Sequence, residues 1–351
     1  MKKSKKEINE IGNDHEAKPA YIIAEMACAH EGKYEIARCL VDAAAQAGAN
    51  AIQFQIFNPK EYIHPDDPDY ELIKRLALLP EQWVKLFEQA RRNSLDIVVA
   101  AYDPQSVKLS ESQDVDAYKV HSADLNNPWL LDSLAPLNKP IHLSVGGSLW
   151  VEIQKGIDNI TRYGNKKISL MYGVQNFPTP FQHVYLNSMV ELKHKFNLPV
   201  GYQDHTDGDS VWGFWIPIMS LCLGVRILEK HITHNRSKKG IDHQAALNPD
   251  EFREFVKLVK NAESILGRDK VDIFDNLNEE AMKFRNYAKK RKIVTSRKLN
   301  AGQVVGKKDL MVMKYSNGKL LPEVLPLVIG KKICSDIPEF YPIGWDNVKE
   351  S

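Results

Sequence analysis

The chain has almost no net charge, few cysteines, no long apolar run and no glycine-rich first turn, and each shortage excludes something. Its 47 Lys and Arg against 45 Asp and Glu leave a net charge of +2. That balance offers no electrostatic footprint for nucleic acid or a membrane surface. The 4 cysteines, Cys28, Cys39, Cys222 and Cys334, are scattered through 351 residues, with neither disulfide-framework nor metal-ligand spacing. They read as reduced, mostly buried thiols of a cytoplasmic protein. The apolar runs are too short to span a bilayer, and the opening residues lack the apolar core of a signal peptide. Residues 1–18 are polar and charged and read as a mobile tail. The missing glycine-rich turn speaks against a doubly wound nucleotide-binding sheet.

From residue 21 onward, short β-rich runs alternate with amphipathic stretches. The runs cover 21–26, 51–57, 96–102, 117–122, 140–146, 167–173, 198–205 and 224–233. Their Val, Ile, Leu, Tyr and Phe are nearly continuous, the pattern of parallel strands covered on both faces. Between them, 34–49 predicts a helix with Ile36, Cys39, Leu40, Ala43, Ala44 and Ala47 on one face. Residues 80–94 predict another, opening on Pro80 and Glu81. Strand–helix repeats of this number over roughly 250 residues predict an α/β fold, a (β/α)8 TIM barrel spanning 19–266. Residues 267–290 read as a polar connector. Beyond 291 the runs shorten to Ile293-Val294-Thr295, Gln303-Val304-Val305, 310–313 and 324–329, cut by Gly, Asn and Pro. That texture predicts a separate β-rich domain of roughly 60 residues over 291–351. So small a core is expected to dock on a barrel, its own or a partner's.

Active sites of such barrels lie at the C-terminal strand ends. In chain order those positions carry Glu25 and His30, Gln53 and Gln55, Tyr102 and Asp103, then Lys119, Ser122 and Asp124. Ser144, Tyr172, Gln175, Asp204, His205, His231 and Asp242 follow. An ammonium with hydroxyls and amides holds an anion, imidazoles with carboxylates hold a divalent metal, and a glutamate moves a proton. His205 and His231 close consecutive strands, with Asp242 and His243 soon after, so they are candidates to share one ion. Plainer readings stand beside these. The histidines merely finish strands, Lys119 pairs with Asp103 or Asp124, and Ser122 and Ser144 satisfy strand-end backbone groups. Met171 and Phe177 read as core or wall.

Tyr-Ile-Ile-Ala-Glu (21–25) with His30 and Gly32, Ala-Gly-Ala-Asn-Ala-Ile-Gln-Phe-Gln (47–55), Tyr-Lys-Val-His-Ser-Ala-Asp-Leu-Asn-Asn (118–127) and Leu-Ser-Val-Gly-Gly (143–147) form one ordered set. Phe-Pro-Thr-Pro (177–180), Gly-Tyr-Gln-Asp-His-Thr (201–206), Glu-Lys-His-Ile-Thr (229–233) and Gly-Ile-Asp-His (240–243) continue it. In order and spacing the set resembles the sialic acid synthase (N-acetylneuraminate synthase) family. The last segment is similar to that family's C-terminal antifreeze-like (SAF) domain. The resemblance implies a transferase of carbohydrate biosynthesis that condenses phosphoenolpyruvate (PEP) with an N-acetylmannosamine-like aldose. The implied product is a nonulosonic-type 2-keto acid, with phosphate released. His205 and His231 would bind a divalent metal, Mn2+ in type, and Glu25 would handle a proton at the reacting carbons. Lys119, Ser122 and Ser144 would hold PEP, and Gln55 and Asp242 the sugar. Gln53, Asp124, Tyr172, Gln175 and Gln203 complete the implied substrate-binding set, with Lys314 where the family offers an arginine. The SAF domain would lie over the partner's barrel in a domain-swapped homodimer.

Departures from that family fall mostly on the PEP side. Its second-strand lysine is Gln53, its third-strand threonine Ala100, and the serine before its Asp-His pair Gln203. Ala29 stands for an asparagine, Tyr172-Gly173 for His-Cys, and Gln175 for Asn or Ser. Each lost charge-assisted hydrogen bond costs about 1.5–3 kcal/mol, and His121 beside Ser122 is a candidate replacement. Two alternatives follow: an aldol-type condensation or cleavage with a different donor, or a catalytically silent sugar-binding relative. Retention of Glu25 with both histidines counts against the second.

Overall fold

The computed structural model describes residues 19–267, 278–284 and 291–350. The expected tail, residues 1–18, and most of the connector lie outside the described residues. Eight strands close into one parallel barrel: β1 (Tyr21–Glu25), β2 (Ala51–Ile56), β3 (Asp96–Ala101), β4 (Ala117–Val120), β5 (Ile141–Ser144), β6 (Ile168–Tyr172), β7 (Val200–Asp204) and β8 (Ile227–His231). Each pairs with the next, and β8 returns to β1. The helices that follow them are α1 (Tyr34–Ala47), α2 (Pro80–Arg92), α3 (Pro104–Ser112), α4 (Pro128–Leu134), α5 (Trp150–Thr161), α6 (Ser188–Phe196), α7 (Trp212–Cys222) and α8 (Pro249–Leu266). This is the (β/α)8 barrel that the repeat predicts.

Local sequence accounts for the helix limits. In α8, Pro249 takes the first turn and Glu251 accepts from the Asn248 backbone N–H at 2.7 Å, satisfying a donor the helix leaves open. In α2, Gln82 does the same for the Leu79 N–H at 2.8 Å. Helix α1 stops at Gly48, whose φ of 84° is left-handed and suits glycine. The face that α1 buries is Ala37, Leu40, Val41, Ala44 and Ala47, and Cys39 points outward. The expected burial of the thiols is therefore corrected: Cys28 is buried, but Cys39, Cys222 and Cys334 are exposed, and all are free. Cys39 precedes Leu40 by about 100° of helical rotation, enough to leave the buried stripe. No helix among the described residues is long and apolar enough to cross a membrane.

The chain divides into two compact units, Met1–Asp269 and Lys270–Ser351. The second has its own core around Ile293, Leu299, Val305, Leu310, Ile333 and Ile343. There β9 (Arg291–Thr295) pairs antiparallel with β10 (Leu310–Lys314), and β11 (Lys332–Ile333) with β12 (Val348–Lys349). Two expected runs come out differently. The 303–305 run contributes a lone bridge from Val304 to Lys332. The 324–329 run is helical, with Pro322–Val324 a 3-10 turn and Leu325–Val328 an α-turn. Pro322 and Pro326 occupy first turns, where a fixed φ and a missing N–H suit a helix and would break a ladder. Within the connector, Glu279–Lys283 is also helical, and Asn278 caps it by accepting from Ala281 at 2.7 Å.

Candidate active site

Successive strand residues face opposite sides of the sheet, so alternate residues enter the barrel. The floor of the interior is an apolar cluster of Tyr21, Ile23, Ala51, Val98, Ala117, Met171 and Ile227. Gly201 makes room for it, since a Cβ there would stand 2.5 Å from Met171 Sδ. One step further along the same strands the interior turns polar. Glu25, Gln53, Lys119, Ser144, Gln203, His205, Glu229 and His231 are all buried there. Glu25 lies level with Gln53 on one side and His231 on the other.

The same alternation separates neighbours in the two motifs that end β7 and β8. Gln203 and His205 point in, whereas Asp204 between them is locked to Lys230 and accepts from Tyr202 and Thr206 at 2.7 Å. Likewise Glu229 and His231 point in, while Lys230 does not. Lys119 reaches across the interior to Glu229, at 2.5 and 2.6 Å from its two oxygens. Neither alternative partner is involved. Asp103 caps α3 through Ser106 at 2.7 and 2.8 Å, and Asp124 accepts from Asn127 at 2.8 Å. Glu229 carries no role in the sequence reading. Its place two residues before His231 marks it as inward-facing, as the same spacing before Ser144 marks His142, which bonds Ser169 at 2.7 Å.

The rings of His205 and His231 stand edge to face with centroids 5.3 Å apart, under Phe177, which lies 4.2 Å from the first. His205 Nδ1 is 2.7 Å from the Val174 carbonyl, so it carries the proton and leaves Nε2 a lone pair. Burial lowers the His205 pKa to about 4. Burial, then His205 and Lys119, push His231 well below the ordinary range. Both imidazoles are neutral, the form that ligates a metal, and a carbonyl behind the ring is the orienting contact such ligands need. Burial and the neighbouring Glu229 raise the Glu25 carboxyl well above its usual range, against the opposing pull of Lys119. One Glu25 oxygen accepts from the Ala27 N–H, and the other is buried without a partner among the described residues. Asp242, in left-handed backbone with φ 61°, is raised to about 6 by burial.

Ser144, Gln175 and Gln203 are knitted to one another. Ser144 Oγ accepts from Gln203 Nε2 at 2.8 Å and from Gln175 Nε2 at 3.3 Å. Gly173 is needed there, because a Cβ would stand 2.2 Å from the Gln203 carbonyl oxygen. Gln53 is fully buried, and neither its oxygen nor its nitrogen has a partner among the described residues. An unmet buried polar group costs about 1–3 kcal/mol, so Gln53→Met is expected to stabilise the ligand-free protein by about that amount. Urea denaturation checks this, and unchanged stability would mean that the amide is already satisfied.

Other expected site residues lie outside that buried layer. Tyr172 faces away from the interior, its hydroxyl donating to the Val184 carbonyl at 2.7 Å, because it sits one step out of phase with Met171 and Gly173. His30 is packed against Trp83 and accepts from Gly32 at 3.1 Å. Ser122 opens a 3-10 turn, and Gln55 is half-buried on β2. His121 stacks on Tyr102 at 5.0 Å, and its buried Nε2 has no hydrogen-bond partner among the described residues. Lys314 ends β10 in the second unit and is exposed.

The sequence profile of the NeuB family matches residues 40–271. The chain belongs to the NeuB family. The N,N'-diacetyllegionaminic acid synthase of Legionella pneumophila is 28% identical to it over 99% of each chain. A pseudaminic acid synthase of Campylobacter jejuni is 30% identical, over 97% of this chain and 99% of its own. Among solved structures, the N-acetylneuraminic acid synthetase of Leptospira borgpetersenii has a TM-score of 0.70 and 27% identity, covering 78% of this chain and 94% of that one. This NeuB-family chain is accordingly an enzyme of the sialic acid synthase type, which forms a carbon–carbon bond.

Proposed function

We propose that this NeuB-family enzyme condenses PEP with the aldehyde form of an N-acetylated hexosamine, releasing phosphate and a nonulosonic-type 2-keto acid for a surface glycan. The observation that carries the reading is the edge-to-face His205–His231 pair in the same buried layer as Glu25, whose carboxyl titrates above its usual range. The two imidazoles would hold a divalent ion such as Mn2+, which supplies Lewis acidity at the aldehyde oxygen. Burial and Glu229 raise the Glu25 carboxyl above its usual range, so it is suited to deliver or accept a proton at the reacting carbons. Lys119, held in place by Glu229, offers its charge to the carboxylate or phosphate of PEP, and Ser122 and Ser144 would bind the same groups. The unpartnered amide of Gln53 supplies a donor and an acceptor in the same layer. Gln55 and Asp242 would meet the sugar. The second unit reads as an antifreeze-like domain that brings Lys314 to the barrel of a partner chain in a swapped homodimer.

A second reading, an aldol-type condensation or cleavage with another donor, is favoured by one observation. Ser144, Gln175 and Gln203 already satisfy one another where the family's phosphate ligands are changed. Phosphate release from PEP separates the two, measured with Mn2+ and a panel of aldoses that includes N-acetylmannosamine. Sugar-dependent release that Glu25→Gln loses and chelation stops supports the synthase. No release with any sugar, from folded and metal-loaded protein, turns the site over to another donor.

A further inference from the structure

A second constellation of ligating side chains lies where the loop after β1 meets the loop after β8. Glu31 stands in the first loop, and His234 and His243 in the second. One ligand atom from each lies within 4.8 Å of the others. The two imidazoles meet edge to face, with centroids 5.7 Å apart, and Glu31 Oε1 is 3.8 Å from His234 Nε2. His243 is 0% exposed, with the Asn235 backbone beside its ring. Neither its nitrogens nor those of His234, all buried, make a hydrogen bond of ordinary geometry among the described residues. Gly240 leaves a cradle next to the ring, since a Cβ there would stand 2.9 Å from His243 Nε2.

Buried polar atoms are nearly always paired, and four imidazole nitrogens in one place are a marked exception. A cation that accepts one lone pair from each ring takes up two of the four, with the carboxylate as third ligand and the Asn235 backbone beside His243 facing another. We propose that Glu31, His234 and His243 bind a second divalent transition-metal ion, separate from the His205–His231 site. Two imidazoles and one carboxylate suit zinc, cobalt or nickel, whereas calcium and magnesium prefer oxygen ligands throughout. The charged groups that face Glu31 are Lys33, 3.5 Å from Oε2, Lys238 and His234, and Oε1 is the oxygen turned toward His234. The ion pins the loop after β1 to the loop after β8 at the seam of the barrel. Asp242 immediately precedes His243, so the ion acts as a positioning element for that carboxylate.

The test reads metal, not turnover, so its failure leaves the proposed reaction standing. Metal-stripped full-length protein is titrated with Co2+ alone, and the bound metal is counted after desalting while the visible cobalt spectrum is recorded. Two protein backgrounds are used, the unaltered chain and His205→Ala/His231→Ala. The second background is expected to take up one equivalent, and His234→Gln or Glu31→Gln to weaken that uptake at least tenfold. Both positions are partly exposed, so these changes spare the core. In the unaltered chain, His234→Gln is expected to remove one equivalent. Uptake unchanged by His234→Gln and Glu31→Gln in both backgrounds overturns the proposal, as does a His205→Ala/His231→Ala background that takes up no cobalt.

Discussion

Glu25→Gln is expected to lower kcat about 10²–10⁴-fold, the range for losing a positioned general acid or base, while making the folded protein harder to unfold at neutral pH. Both effects have the same origin. Burial is the main reason that the Glu25 carboxyl titrates well above its usual 4.5, with repulsion from Glu229 second. A raised carboxyl pKa means that the folded state holds the proton more tightly than the unfolded chain. Its stabilising share is therefore complete below about pH 4.5, where both states are protonated. It is lost as pH rises through the folded value, because the unfolded chain ionises freely and the folded one resists. Gln removes that loss, and its oxygen still accepts from the Ala27 N–H. Thermal unfolding at neutral pH and again below 4.5 checks the sign. The variant should gain only at neutral pH, and a gain of equal size at both would point to packing.

Lys119→Met is expected to cost about 3–5 kcal/mol of stability, because it strands Glu229 as an uncompensated charge inside the barrel. The pair is nearly sealed, with side-chain exposures of 3% and 1%. Adding Glu229→Gln should restore most of the loss, since the desolvation cost of both ions disappears with them. A double-mutant cycle in urea measures the coupling directly. A single-variant cost below about 1 kcal/mol, the range of exposed pairs, would show that water reaches the pair. The double variant separates stability from function. If Lys119 also holds the anionic substrate, folding returns and PEP-dependent turnover does not.

Much of the barrel was legible in local pattern. Runs of Val, Ile, Leu, Tyr and Phe marked every strand, because parallel strands covered on both faces need apolar residues in succession. Pro80 and Glu81 marked a helix start, since the groups that suit a first turn lie within a few residues of it. The positions of Glu25, His205 and His231 followed from the rule that barrel chemistry sits at strand ends. The 324–329 run misled because its apolar residues suit a strand and its prolines a helix turn, and over so short a stretch the prolines decide.

Strand ends by themselves did not say which residues enter the barrel. Tyr172 and Asp204 are one step out of phase and turn away, whereas Glu229 and His142 are in phase and turn in. That phase is set by cross-strand register, which depends on neighbours far off in sequence. The partner of Lys119, the idle amide of Gln53 and the meeting of Glu31 with His234 and His243 are of the same kind. The sequence by itself determined the element order, the barrel and the residue types gathered at its mouth, because periodicity and capping act over a few residues. Tertiary structure alone decided which charges pair, which imidazoles face each other and which polar atoms are left without a partner, because closing β8 onto β1 joins chain segments that no local pattern links.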